Sequence, residues 1–204
     1  MSLNDHNFVT SLSQKMPSLA LMNKLKVNFP PLLGFIHEQD VALFLWVMDR
    51  KYLALWARLC RIISFTANGF LYPILGLTLW FTSEEQGKLF VLTLSLAFLL
   101  ERPLYLLLKK GLKRNRPADA LVNYQSFIIP SDQFSFPSGH TSGAFATATA
   151  LAMYFPETSL FVYGWAILTG ASRVTLGVHF PTDILAGAVM GTGLTLLASM
   201  SFIQ

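Results

Sequence analysis

PSGHTSGAFATATALAMYF, residues 137–155, sets a polar, histidine-bearing entrance directly ahead of an uncharged run built mostly from alanine, threonine, serine and glycine. A helix with this surface has little to offer water. It suits close backbone approach by a neighbouring helix in lipid, where small residues carry the packing. His140, at its rim, then needs a reason to be there, since titratable groups at a hydrophobic span are costly and tend to mark function.

The rest of the chain supports a membrane setting. Of its 204 residues 53% are hydrophobic and 13% charged, and the apolar residues gather into long runs, the profile of an all-α integral membrane protein in one domain. Five segments read as transmembrane helices in a bundle: Phe65 to Phe81, Leu89 to Leu108, Thr141 to Phe155, Ser159 to Ala171, and Asp183 to Ser201. Several are shorter than the ~20 residues a bilayer requires, so their ends extend into polar flanks. Gly187 and Gly191 form a small-xxx-small pair in the last of them. The stretch from Asp40 to Arg61 alternates apolar runs with Asp49, Arg50, Lys51, Arg58 and Arg61, and reads as amphipathic helices lying in the interface. Residues 1–64 are therefore expected to form an N-terminal interfacial segment and 65–204 the transmembrane core. Met1 to Asn28 is mixed polar, so no cleaved signal peptide is expected.

Cys60 is the single cysteine, which excludes an internal disulfide and a thiolate-only metal site. The net charge of +4 comes from cations beside hydrophobic spans, without a nucleic-acid-binding motif; membrane lipids, not nucleic acid, are the expected partners. TSEEQGK and FPE connect spans on one side, and the polar loop from Lys109 to Gln133 lies on the other. Of the 15 Lys and Arg residues, seven precede Phe65, five lie from Lys109 to Arg116, and Arg173 joins them on the long-loop side. The positive-inside rule would make that side cytoplasmic.

Three clusters share it: KKGLKRNRP from Lys109 to Pro117, the PSGH opening, and SRVTLGVHFPTD from Ser172 to Asp183. Two histidines, three fixed cations and a carboxylate at one mouth match phosphate. Ser138, Gly139 and His140 open a helix, whose free N–H groups and dipole receive anionic oxygens. Lys109, Arg116 and Arg173 can neutralise phosphoryl oxygens as charge moves in an in-line displacement, an arrangement that requires no metal. A neutral imidazole can attack phosphorus if a carboxylate holds its other nitrogen, and His179 with Asp183 supplies that pair. Pro181 suits the first turn of the last helix, which puts Asp183 one turn from His179. His140 is left to protonate the leaving oxygen.

In this order KxxxxxxRP, PSGH and SRxxxxxHxxxD resemble the signature of the type 2 phosphatidic acid phosphatase family, which shares its site with vanadium haloperoxidases. All eleven defining positions match. The resemblance covers roughly Phe65 to Ser201, without the sixth span of many members. It implies metal-independent, cofactor-free hydrolysis of a lipid phosphate or pyrophosphate through a phosphohistidine, with His179 as nucleophile, Asp183 as its orienting partner and His140 as general acid. Lys109, Arg116, Ser138, Gly139 and Arg173 would hold the phosphate. Small bacterial members of this kind resemble undecaprenyl pyrophosphate and phosphatidylglycerophosphate phosphatases of the inner membrane, with the site facing the periplasm, against the charge count. Phosphoryl transfer between lipids is an enzymatic alternative. A transporter or anion-binding protein is the alternative from another class, with Glu101 and Arg102 as its pathway. These two residues, beside Pro103, read instead as a structural ion pair or polar contact at a proline break; Lys110, Lys113 and Arg114 read as topology anchors, and His6 and His37 as exposed bystanders.

Overall fold

The computed structural model describes residues 31–202, in which all regular structure is helical. The order is α1 (Pro31–Met48), α2 (Leu53–Thr66), α3 (Leu71–Thr82), α4 (Glu84–Leu112), α5 (Gly139–Tyr154), α6 (Ser159–Thr175) and α7 (Pro181–Ser199). A four-residue turn of helix at Pro117–Ala120 and a 3-10 turn at Pro156–Thr158 interrupt the connections. Two described stretches are long and apolar enough to cross a membrane, Glu84–Ala120 and Pro181–Ser199, and α2 with α3, bent by 51°, passes as a third. α5 and α6, at 16 and 17 residues, stand where the third and fourth spans were expected but are short for a bilayer.

α5 occupies the middle. Ala144 and Ala148 pack against Ala67 and Ala166, while Ala146 and Ala150 meet Phe90 and Leu94 of α4. α7 comes closest of all. A Cβ on Gly187 would stand 2.6 Å from the Ser138 carbonyl oxygen, and one on Gly191 would collide with that of Ser142. The small-residue faces thus let the two helices that begin at Ser138 and Phe180 run in backbone contact, which fixes their starts relative to each other. Outward, Leu99, Leu107, Leu160, Phe161, Leu185 and Val189 are exposed, as lipid-facing positions are.

Three sequence expectations change. The hydrophobic segment from Phe65 does not begin a helix: Phe65 lies in the last turn of α2, and the chain turns at Asn68 and Gly69 before α3. Bonds from the Asn68 N–H to Phe65 O and from Tyr72 Oη to Ala67 O close that corner. Pro103 does not break α4, which continues through Lys109 and ends at Lys113 in the left-handed conformation, φ 46°. Membrane helices accommodate an interior proline where neighbours satisfy the freed carbonyls. His37 is not exposed but half-buried, its ring 6.1 Å from that of Phe180; His6 lies outside the described residues.

α1 packs over the end of the bundle at which α5 and α7 begin, and α2 runs from that end along α6, from Leu176 beside Ala57 to Trp165, whose indole N–H donates to Thr66 Oγ1 at 2.8 Å. Val41, Phe44 and Met48 of α1 share a cluster with Leu53, Val174 and Phe180, and Ala57 of α2 packs on Leu176 and Val178. Arg61 donates to Phe127 O at 2.7 Å in the long loop. Trp46, Tyr52 and Trp56 are exposed, with the Arg50 guanidinium 3.5 Å from the Trp46 ring, a basic aromatic belt of the kind found at lipid headgroups.

Candidate active site

The start of α5 is held from both sides. Ser138 caps it, its Oγ accepting from Thr141 Oγ1 at 2.9 Å, and the Ser138 N–H donates to Asp183 O at 3.1 Å, tying this helix to α7. Gly139 faces Tyr105 of α4, whose ring a Cβ would meet at 3.1 Å. His140 Nε2 lies within hydrogen-bond distance of Asn68 Oδ1, at 3.1 Å.

His179 and Asp183 straddle the first turn of α7, with Pro181 at its first position. One Asp183 oxygen, Oδ2, accepts the Phe180 N–H at 2.8 Å; the other accepts from Arg114 Nη1 at 2.8 Å. His179 Nδ1 is 3.5 Å from Oδ2, too long for a hydrogen bond, and has no hydrogen-bond partner among the described residues. Such contacts commonly tighten when substrate binds. On the far side of the ring Nε2 is 3.4 Å from Arg116 Nη1. Burial, with help from Arg116 and Arg173, pushes the His179 imidazole down to about 4 despite the opposing Asp183 carboxylate. It is therefore neutral near pH 7, with a lone pair at Nε2 and a carboxylate behind Nδ1.

Arg116 reaches Val178 O at 2.7 Å and Asp132 Oδ1 at 2.6 Å. The same Asp132 oxygen is 2.9 Å from Lys109 Nζ, and Tyr105 Oη donates to Asp132 Oδ2 at 2.8 Å. Burial would raise the Asp132 carboxyl, but Lys109, Tyr105 and Arg116 outweigh it and hold it at about 2. An anion thus already sits between two of the three expected phosphate-binding cations. Arg173, at the end of α6, donates to Ser64 Oγ at 2.6 Å, and its Nε is buried with no partner among the described residues. Its charge is within electrostatic reach of His140.

The eight candidate residues therefore converge on one end of the bundle. Lys109 and Arg116 share Asp132, Arg116 approaches His179, and Ser138 bonds to Asp183, while Arg173 and His140 make their direct bonds to Ser64 and Asn68 at the α2–α3 corner. Asp132, Tyr105, Asn68, Ser64, Arg114 and Asp40 were not identified from sequence. Of these only Arg114 carried a local signal, its place inside KKGLKRNRP.

Lys109, Asp132, Gly139 and His140 line one end of a cavity of about 1020 Å³ between α3 and α4. Leu77, Trp80, Phe90, Leu94 and Phe98 continue it with apolar wall. Glu101 and Arg102 line it too; of the expected ion pair or polar contact, no salt bridge joins the two among the described residues, while the Arg102 guanidinium lies 5.6 Å from the Tyr105 ring.

The profile of the PAP2 superfamily matches residues 88–203. A lipid A 1-phosphatase of Rhizobium johnstonii is 34% identical over 100 residues, 47% of this chain but only 41% of that protein's length. Phosphatidylglycerophosphatase B of Bacillus subtilis is 33% identical over 139 residues, 61% of this chain and 64% of the relative. Among solved structures, that of Aquifex aeolicus LpxE superposes with a TM-score of 0.69 at 28% identity, covering 78% of this chain and 93% of LpxE.

Proposed function

The chain belongs to the PAP2 superfamily, and on that premise we propose that it is a metal-independent membrane phosphatase that removes phosphate from a lipid phosphomonoester or pyrophosphate. The observation that carries this reading is the joining of a cation-lined end, with Lys109, His140 and the Asp132 contact to Arg116, to a largely apolar cavity of about 1020 Å³. A lipid could place its tail between α3 and α4 and its phosphate where the Asp132 carboxylate now sits. Undecaprenyl pyrophosphate and phosphatidylglycerophosphate or phosphatidate are the substrates of choice.

In the proposed reaction the phosphate displaces Asp132 from Lys109 and Arg116, with Arg173, Ser138 and the Gly139 N–H completing its cradle. His179 Nε2 attacks phosphorus as the bond to the leaving oxygen breaks, and His140 delivers a proton to that oxygen. Asp183 stabilises the phosphoimidazolium. Water, deprotonated by His140, then attacks phosphorus, the P–N bond breaks and phosphate departs. Side-chain cations neutralise the phosphoryl oxygens throughout, which is the basis for metal independence.

Phosphate release by the purified protein, measured across lipid phosphates and pyrophosphates, should persist in excess chelator. Vanadate, which adopts the five-coordinate transition-state geometry, should inhibit at roughly micromolar to millimolar concentration. Asp132→Asn should bind it about three- to tenfold more tightly, equivalent to ~0.7–1.4 kcal/mol, because the competing carboxylate is gone. Activity abolished by chelator and restored by magnesium would sink the mechanism, and weaker vanadate binding by Asp132→Asn would place that carboxylate outside the phosphate site.

α3 to α7 make five crossings in this reading, with residues 1–64 interfacial. The packing of α1 over the start of α7 is consistent with that division on the α1 side, while α2 runs alongside α6. We place the site on the periplasmic face of a bacterial inner membrane. A cysteine at exposed Ser131, with Cys60 replaced by serine, should then be labelled by a membrane-impermeant maleimide in intact spheroplasts. Labelling only after permeabilisation would put the site in the cytoplasm, where the cation count points.

A further inference from the structure

The segment of α1 that carries Asp40 lies before residue 88, where the family match begins. Yet the Asp40 side chain is fully buried, at the start of α7. Its Oδ1 accepts the Thr182 N–H at 2.9 Å and its Oδ2 accepts the Thr182 hydroxyl at 2.5 Å. The same Oδ2 pairs with Arg114 Nη2, while Arg114 Nη1 donates to Thr182 Oγ1 at 2.6 Å and to Asp183 Oδ1 at 2.8 Å. One guanidinium thus bridges two carboxylates whose side chains have no solvent exposure. It is braced from the side by the Phe180 ring, 4.6 Å from Cζ, and Phe180 in turn packs edge-on against Phe44 of α1 at 5.3 Å.

Carboxylates buried this deeply need hydrogen-bonding partners, and a planar fork that satisfies both also fixes their planes. Asp183 has only two oxygens: Oδ1 is committed to Arg114, so Oδ2 is the one presented to His179 Nδ1. The Arg114 side chain's hydrogen bonds among the described residues go to Thr182, Asp183 and Asp40, and none goes to Lys109, Asp132 or His140, so it stands behind the dyad and away from the phosphate.

We propose that Arg114, anchored by Asp40 of α1, is a positioning residue that orients Asp183 toward His179 and tempers its charge, which makes the N-terminal helix a working part of the active site. The inference rests on the reading of His179 as nucleophile. It accounts for a cation in the KKGLKRNRP stretch that the phosphate does not need, and for a buried carboxylate on a helix otherwise suited to the interface.

The test is steady-state kinetics of the purified full-length protein, wild type against Arg114→Met, Arg114→Lys, Asp40→Asn and, as a surface control on α1, Glu38→Gln. For Arg114→Met, kcat should fall about 100-fold, the cost of a small misplacement of a reacting group, with KM and the inhibition constant for orthophosphate within about threefold of wild type. Asp40→Asn should lose about tenfold in kcat, and Glu38→Gln nothing. Arg114→Lys, which keeps the charge without the fork, should fall between wild type and Arg114→Met and decides the matter if the methionine variant does not fold. The acid limb of kcat/KM against pH adds a readout that a merely structural residue would not move. The groups bearing on the dyad are Arg116, Arg173, His140, Lys109, Asp132, Asp40 and His37; removing the Arg114 charge beside the dyad alone should shift the limb upward by about one pH unit in Arg114→Met. A wild-type kcat in Arg114→Lys and Asp40→Asn, an effect confined to KM and orthophosphate binding, or an unmoved acid limb would overturn the proposal. Residual turnover in His179→Ala, run in parallel, would instead overturn the nucleophile assignment on which it rests.

Discussion

His179→Ala is expected to be inactive on every substrate, whereas His140→Ala should lose about 10²–10⁴-fold on a lipid monophosphate and far less on an aryl phosphate with an acidic phenol. The asymmetry follows from what each ring does. A nucleophile is needed whatever leaves, and the His179 ring is neutral, with Nε2 open toward Arg116 and Nδ1 toward Asp183. A general acid matters only when the leaving oxygen is basic. His140, held through Nε2 by Asn68 at the edge of the apolar cavity, is placed for that proton. On a pyrophosphate, whose leaving group is itself a phosphate, the His140→Ala loss should again be small. Parallel progress curves on an alkyl and an aryl phosphate decide it: equal losses for both variants on the aryl ester would remove the division of roles.

The second large effect concerns folding. Gly191→Leu should prevent accumulation of folded protein, and Gly191→Ala should cost ~1–3 kcal/mol, the usual penalty for overpacking a tight contact. The reason is local: a Cβ at Gly191 would run into the Ser142 carbonyl oxygen and stand 3.0 Å from the Ala146 nitrogen, backbone that cannot rotate away. Moving α7 off α5 also separates Asp183 and His179 from Ser138. Gly193, two residues on, has nothing within 4 Å of its Cβ position, so Gly193→Ala is the matched control and should be neutral or slightly stabilising. Thermal unfolding of the detergent-solubilised proteins, followed by size-exclusion, measures both. A Gly191→Leu protein as stable as wild type would mean that the backbone contact between α5 and α7 is not what holds the site together.

What could be read from sequence, and what could not, divides by range. The small-residue face of α5, the Gly187 and Gly191 pair and the one-turn spacing of His179 and Asp183 are local patterns, and each has a direct counterpart in the helices. Boundaries set by tertiary contacts were misplaced. The corner at Asn68, closed by Tyr72, interrupts an apolar run that hydropathy alone joins into one segment, and Pro103 is absorbed by a helix it would be expected to break. Asp40 was invisible because its partners, Arg114 and Thr182, lie 74 and 142 residues away. Arg114 reads as a topology marker in the sequence, since lysine and arginine beside a span usually are. Asp132 sat in a polar loop without a motif, and only the fold delivers its carboxylate to Lys109 and Arg116.

The most direct measurement is a rapid quench of the enzyme with a radiolabelled lipid phosphate, followed by mass-spectrometric mapping of the labelled peptide. The account predicts an acid-labile, alkali-stable phosphoryl group on His179 that forms and decays at rates compatible with turnover, is absent from His179→Ala, and fails to reach wild-type level in Asp183→Ala. Label on His140, or full turnover with no phosphohistidine at any quench time under conditions that preserve one, would contradict it.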